Sequence, residues 1–459
     1  LNSSTIKDAA LNNADLTHDQ WLDQYAFIVD TTLPTVSSVA ITNVVGAQNS
    51  FVNAGDNVSV TVTFSESPIS AVIVDNTSAA TLTLKVGNDN RTATYDSGDS
   101  TIVSSGSDNA SLVFSYIIQA TGTSGENDDD GISIVADALN SNIITISDRA
   151  GNIATNLTHN EVPDNSNYKV DTTPPSVTTF TMSDTELKIG DNATVTLEFS
   201  EPVCVSTSEC TRSQTNAADP YFSNADITIL NGSLSTMTSD DNETWIGTFT
   251  PATNTEDDSN TLSLATTYTD LAGNNGPDNQ TENYEIDTLA PTVNSVAITG
   301  AQGDQNSFLN ATDNVSVTAT FSEAVIVASG TPRITLAVGS DNRTATYTSG
   351  DNSTRLVYRY TVQSGYNDSN GISIGANALD NSSSTISDPA GNIPDNLTHS
   401  AVPDNSSVKV DTTAPSVDNF TMSDTELKIG DNATVTLVFS EPICAVSSSC
   451  GGIVFSSAD

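Results

Sequence analysis

An all-β fold, repeated along the chain, is what the sequence predicts, and three observations carry the prediction. The stretch from Asp171 to Pro202 recurs almost unchanged from Asp411 to Pro442, and looser versions of its opening start at Asp30 (DTTLPTV) and Asp287 (DTLAPTV). Between the copies, short segments bounded by Asn, Asp, Gly and Ser carry an apolar residue at every second position, the signature of strands with one buried and one wet face. No stretch carries a convincing helical period. Internal repetition sets the unit that folds, so it is read before any single element.

The opening aspartates divide the chain into residues 1–29, 30–170, 171–286, 287–410 and 411–459. The three central pieces are each large enough to bury a core of their own. Residues 1–29 match the last part of a module and residues 411–459 match the first part of one, so the chain reads as a window on a longer polypeptide. The start resembles one module type and the finish the other, which argues against a subunit whose own ends complete a shared sandwich. In the type at 171–286, SVTTFTM, NATVTLEFS, DITIL, SLSTM, TWIGTF, TLSLATTY and NYEID follow in order. Seven short strands with turn signals between them match the arithmetic of an immunoglobulin-like β-sandwich. The type at 30–170 and 287–410 keeps the first strands (NVSVTVTFSE, NVSVTATFSE) and the closing one (YKVD, VKVD) but differs in the middle. Extra residues around Asp75 to Ala80 and Ser104 to Asp108 in the first copy belong in loops, where insertions cost little. The predicted fold class is therefore tandem immunoglobulin-like sandwich modules in a linear array.

Composition narrows the partners. With 13 basic and 57 acidic residues, a net charge of −44 argues against nucleic acid and anionic membrane as partners, since both need a cationic surface. Divalent cations are the natural counter-charge, and a solvated surface in a saline habitat is the other reading of the same acidity. No run approaches a membrane span. The four cysteines fall as two pairs, Cys204 with Cys210 and Cys444 with Cys450, at equivalent places in two modules. The spacing favours a local disulfide in each pair over free thiols, hence a place outside a reducing cytosol.

The combination of DTTPP at the opening, IGDNATVTLEFSEPV in the second strand, NGSLSTMTSDDNETWIGTFTP in the middle and DLAGN before the last strand resembles the bacterial Ig-like repeats of giant surface adhesins and biofilm-associated proteins. NDSNGISIGANALDNSSSTISDPAGN resembles repeats of the same class, so the resemblance covers the whole chain. It implies a secreted, acidic stalk or filament, extracellular or at the cell surface, without naming an adhesion target.

In such a sandwich the first strand starts at one pole, the second ends there, and the loop before the last strand returns there. Three acidic motifs then converge: Asp171, Glu201 and Asp270; Asp30, Glu66 and Asp148; Asp287, Glu323 and Asp388; and Asp411 with Glu441. Converging carboxylates repel unless protonated or bridged, and calcium takes six to eight oxygen ligands. The alternative is that the aspartates cap turns by accepting from backbone amides. Asp56, Asp191, Asp313, Asp128, Asp129, Asp130 and Asp368 belong to the opposite pole, which faces the next module when modules stack.

Many Asn-X-Ser/Thr triplets occur, among them Asn57, Asn90, Asn156, Asn192, Asn231, Asn314, Asn342, Asn396 and Asn432, which are candidate acceptors of N-linked glycans. Catalysis has little support. His18, His159 and His399 occupy one repeated position in LTH, no nucleophile motif accompanies them, and no phosphate-binding glycine loop appears. The leading expectation is thus a non-enzymatic structural or adhesive protein, stiffened by calcium at its junctions, whose partners are neighbouring modules or other copies. The alternatives are a carbohydrate-binding array that meets surface glycans through Trp245, Tyr221, Tyr358 and Tyr366, or a spacer tethering an enzyme elsewhere.

Overall fold

The computed structural model describes residues 5–17, 29–65, 73–75, 80–96, 111–120, 126–140, 145–148, 150–203 and 221–443. Among these the structure is all-β, without an α-helix; a capped 3-10 turn at Asn224–Asp226 interrupts the strands. Low apolar content suffices because alternation concentrates it on one face: Asn57–Phe64 buries Val58, Val60, Val62 and Phe64 completely.

Three separate apolar cores result. One draws on residues from Val52 to Val170, one from Phe180 to Ile286, and one from Val296 to Val410. The first contains a six-stranded sheet in the order Val36–Val45, Asn57–Phe64, Ser111–Ile117, Asp89–Tyr95, Thr81–Val86, Ser133–Asn140. The third repeats this path with Val293–Gln302, Asn314–Ser329, Ser353–Thr361, Asp341–Ser349, Arg333–Val338 and Leu379–Asp380. The central core is enclosed by a four-stranded sheet (Val177–Met182, Ala193–Phe199, Thr244–Pro251, Gly232–Leu234) and two three-stranded ones. Its centre is aromatic: Phe222 packs edge-on against Trp245 at 5.2 Å and Phe199 lies 5.2 Å from Tyr268.

The sequence expectation missed Glu256–Asn260 (EDDSN), which pairs with Tyr284–Asp287. Being polar on both faces, this edge strand has no alternation to read. DITIL and TLSLATTY are strands only over Ile227–Thr228 and Ser263–Leu264.

One topological detail positions everything that follows. The last strand of each core pairs in parallel with a short strand near its start: Lys169–Val170 with Phe51–Val52, Tyr284–Asp287 with Glu186–Lys188, and Lys409–Asp411 with Phe308–Leu309. The opening aspartate of the following stretch is the next residue or the last residue of that strand. Asp171 still donates its amide to the Val52 carbonyl at 3.0 Å. No slack separates one core from the next.

Candidate metal centres

The motif D-x-A-G-N folds identically wherever it occurs. Oδ1 of Asp148, Asp270 and Asp388 accepts the amide of the asparagine four residues on, at 2.8, 2.9 and 2.8 Å. Oδ2 accepts that asparagine's Nδ2 at 2.7, 2.9 and 2.9 Å. The turn needs a left-handed residue, supplied by Gly151, Gly273 and Gly391 at φ of 91°, 91° and 98°. The same Nδ2 reaches back to the carbonyl of the opening aspartate: Asn152 to Asp30 at 3.1 Å, Asn274 to Asp171 at 3.0 Å and Asn392 to Asp287 at 2.9 Å. This staple draws the loop against the start of the first strand. The second strand delivers its glutamate beside them, since Val177 pairs with Phe199 and Ser200 donates to the Ser176 carbonyl.

Among the described residues two complete trios form, Asp171–Glu201–Asp270 and Asp287–Glu323–Asp388, each with one oxygen per residue lying within 4.8 Å of the others. Asp270 and Asp388 are 1% exposed. Burial, then the charges of Asp171 and Asp270, push Glu201 up to about 7. Burial, then Asp287 and Asp388, push Glu323 up to about 7. Burial also raises Asp171, Asp270 and Asp287, against the backbone donors that lower them. Glu323 Oε1 is buried with no hydrogen-bond partner, an acceptor in search of a cation or a proton.

The preceding stretch adds charge at both places: Asp129 acts on Asp171, and Glu256 on Asp287 and Glu323. Of the other acids expected at that pole, Asp128 and Asp368 are buried turn caps that accept from Gly131 and Gly371 at 2.8 Å each. Asp56, Asp191 and Asp313 likewise accept from the backbone amides of Asn53, Lys188 and Asn310. In the first trio Asp30 and Asp148 are joined through Asn152, while Glu66 lies outside the described residues. Asp411 and Glu441 face each other, and Glu441 is raised by burial and by Asp411.

The structure corrects the aromatic reading. Trp245 and Tyr358 are 1% and 0% exposed. Tyr366 lies 3.6 Å beneath the Arg343 guanidinium, and the half-buried Tyr221 accepts Asn49 Nδ2 at 2.6 Å. These four residues offer no exposed platform for a sugar ring. His159 and His399 are scaffold: Nε2 accepts the amide of Ala138 or Ala378, and Nδ1 faces the carbonyl of Asn160 or Ser400. His18, Cys204, Cys210, Cys444 and Cys450 lie outside the described residues. Of the sequons, Asn90, Asn156, Asn192, Asn342, Asn396 and Asn432 are exposed; Asn57, Asn314 and Asn231 are half-buried, and Asn231 Nδ2 is committed to Asp257 and Asn260 at 2.8 Å.

Sequence reasoning missed the contacts between cores. Asn49 Nδ2 donates to the Leu271 carbonyl at 2.9 Å and Asn53 Nδ2 to Ala272 at 2.9 Å, while Asn392 Oδ1 accepts the Ile189 amide at 2.9 Å. The D-x-A-G-N loop thus rests on the turn of the preceding core. Its repetition was the available signal.

Residues 171–286 match the bacterial Ig-like domain family. No curated protein matches the chain.

Proposed function

Starting from a bacterial Ig-like domain at residues 171–286, we propose that the chain is a structural or adhesive, non-catalytic extracellular protein. Its modules at 30–170, 171–286 and 287–410 act as successive segments of a stalk or filament, with calcium stiffening the joints between them. The observation that carries this reading is the carboxylate trio beside the joints at Asp171 and Asp287, together with the orphaned Glu323 Oε1. Hard oxygen donors of this kind suit calcium, which accepts mixed carboxylate and carbonyl ligands and tolerates irregular geometry. In the first such joint Asp171, Glu201 and Asp270 would hold the ion; in the second, Asp287, Glu323 and Asp388. A bound divalent cation there neutralises charges that otherwise repel across the seam, so the joint resists bending.

The high acidity and the family match support a secreted, surface location, and the exposed sequons support carriage of N-linked glycans. Disulfides within 204–210 and 444–450 belong to the same reading. Calorimetric titration of the chelator-treated chain with calcium at neutral pH, followed by small-angle scattering, tests it. Saturable binding with a narrower distribution of end-to-end lengths is the expected result. Absence of binding heat, with scattering unchanged by calcium, would sink the proposal. Intact mass before and after deglycosylation tests the glycans, with Asn156 and Asn396 expected among the modified positions and Asn231 excluded by its committed amide.

A further inference from the structure

Away from the joints, the two ends of one sheet leave a groove between them. Val36–Val45 and Ser133–Asn140 are the terminal strands of the six-stranded sheet. A groove of about 640 Å³ runs between Val36–Val39 on one wall and Asp137 with Thr158–Val162 on the other. The second wall extends the far end of the sheet, because the Ile134 amide donates to the Val162 carbonyl at 2.9 Å and the Val162 amide donates to Ile134 at 2.8 Å. A bridge between Thr35 and Asn156 closes one end.

The two walls offer different chemistry. Along Val36–Val39 no strand among the described residues pairs with the side turned away from Asn57–Phe64, so main-chain donors and acceptors are open there. The facing wall has its main chain engaged: the His159 amide donates to Asp137 Oδ1 at 2.9 Å, and the His159 carbonyl accepts the Asp137 amide at 3.3 Å. What it presents is charge, since Asp137 and Glu161 are both exposed.

The second copy of this module type separates scaffold from recognition. In 287–410, described throughout, the same wall carries Asn377 and Ala401. Asn377 Oδ1 accepts the His399 amide at 3.0 Å, so a neutral amide does the structural work of Asp137. The fold requires neither carboxylate. The counterparts Asn294, Ser295, Thr398 and Ser400 are exposed, so no part of that module lies over the same place.

We propose that the groove in 30–170 receives an extended segment of a partner protein that carries lysine or arginine. Its backbone adds to Val36–Val39, and its cationic side chains meet Asp137 and Glu161. A second copy of this chain is a poor occupant, because its 13 basic residues stand against 57 acidic ones. None of the joint carboxylates lines the groove, so this site and calcium at the joints stand or fall separately.

The probe is a fluorescein-labelled synthetic peptide, TKVKVT, added to the intact chain in chelator, with binding read by anisotropy and its position by amide hydrogen exchange. Exchange at Val36–Val39 slows about tenfold or more, while 293–296 is unchanged. Acetylating both lysines weakens binding about tenfold. The double substitution Asp137→Asn with Glu161→Ala, which copies the residues of 287–410, does the same and leaves exchange of Asn57–Phe64 unaltered. It removes two charges from a chain of net charge −44, too few to change diffuse attraction. Four results overturn the proposal: no binding, equal protection of 36–39 and 293–296, unchanged affinity in the double variant, or protection of 36–39 in the concentrated chain alone, which would make a second copy the occupant.

Discussion

Replacing Glu323 by glutamine removes one negative charge from a trio without changing its shape, and the consequence is calculable. Moving a carboxyl from its ordinary 4.5 to about 7 corresponds to a ceiling of about 3.4 kcal/mol at about 1.36 kcal/mol per tenfold in proton affinity. The side chain is only partly buried, so solvent screening cuts this to about 1 to 2 kcal/mol. The sign follows from the direction. A raised folded-state value means that the protonated form is favoured by folding, so the stabilisation is complete below pH 4.5 and is lost as pH rises through 7. In chelator, the 287–410 core of the unaltered chain should therefore weaken between pH 4.5 and 7.5. The Glu323→Gln chain should show a shallower slope and be the more stable of the two at pH 7.5. Calcium reverses the ranking: at a hundredfold excess over Kd it adds about 2.7 kcal/mol to the intact trio and less to the glutamine variant. Hydrogen exchange of Ser353–Thr361, at the centre of that core, reads both effects without interference from the other cores. Parallel pH slopes for the two chains, or an equal calcium response, would refute the reasoning.

Other outcomes follow from single side chains. Asn274→Ala removes the bonds to the Asp171 carbonyl and to Asp270, costing about 1 to 3 kcal/mol, seen as faster exchange of the 270–274 loop. Glu126 is buried, accepts from Tyr116 and pairs with Arg91 Nε at 2.6 Å; Glu126→Gln should cost the 30–170 core about 3 to 5 kcal/mol in urea unfolding. Glu126→Tyr should recover much of that loss, because Tyr366 at the equivalent position stacks under Arg343. Leu11 holds φ 65° in KDAALN, where the other copies have glycine, so Leu11→Gly should relieve about 1 to 2 kcal/mol of local strain, measured as slower proteolysis within 5–17.

The fold and the meeting of acids were legible for different reasons. Alternation such as NVSVTVTF exposes strands directly, because burial repeats every second residue. The approach of Asp171, Glu201 and Asp270 could be read because sandwich topology alone assigns all three to one pole. Three things were not legible. EDDSN is a strand through its neighbour's hydrogen bonds, not its own side chains. Trp245 and Tyr358 are as suited in type to a sugar platform as to a core, and only their depth in the sheet decides. The staples made by Asn152, Asn274 and Asn392 end on main-chain carbonyls, and a sequence does not say which carbonyl an amide will find.

Asn392 touches three parties at once: its own loop through Asp388, the Asp287 carbonyl, and the Ile189 amide of the core before it. Two of those three are main-chain groups, which every residue except proline at the amide can provide. Asn49 and Asn53 likewise address the carbonyls of Leu271 and Ala272. A coupling written mostly in main-chain atoms does not inspect the identity of its neighbour. Duplication, deletion or reshuffling of whole units at the genetic level would then leave working seams behind, and the length of such a protein can drift without redesign of its joints.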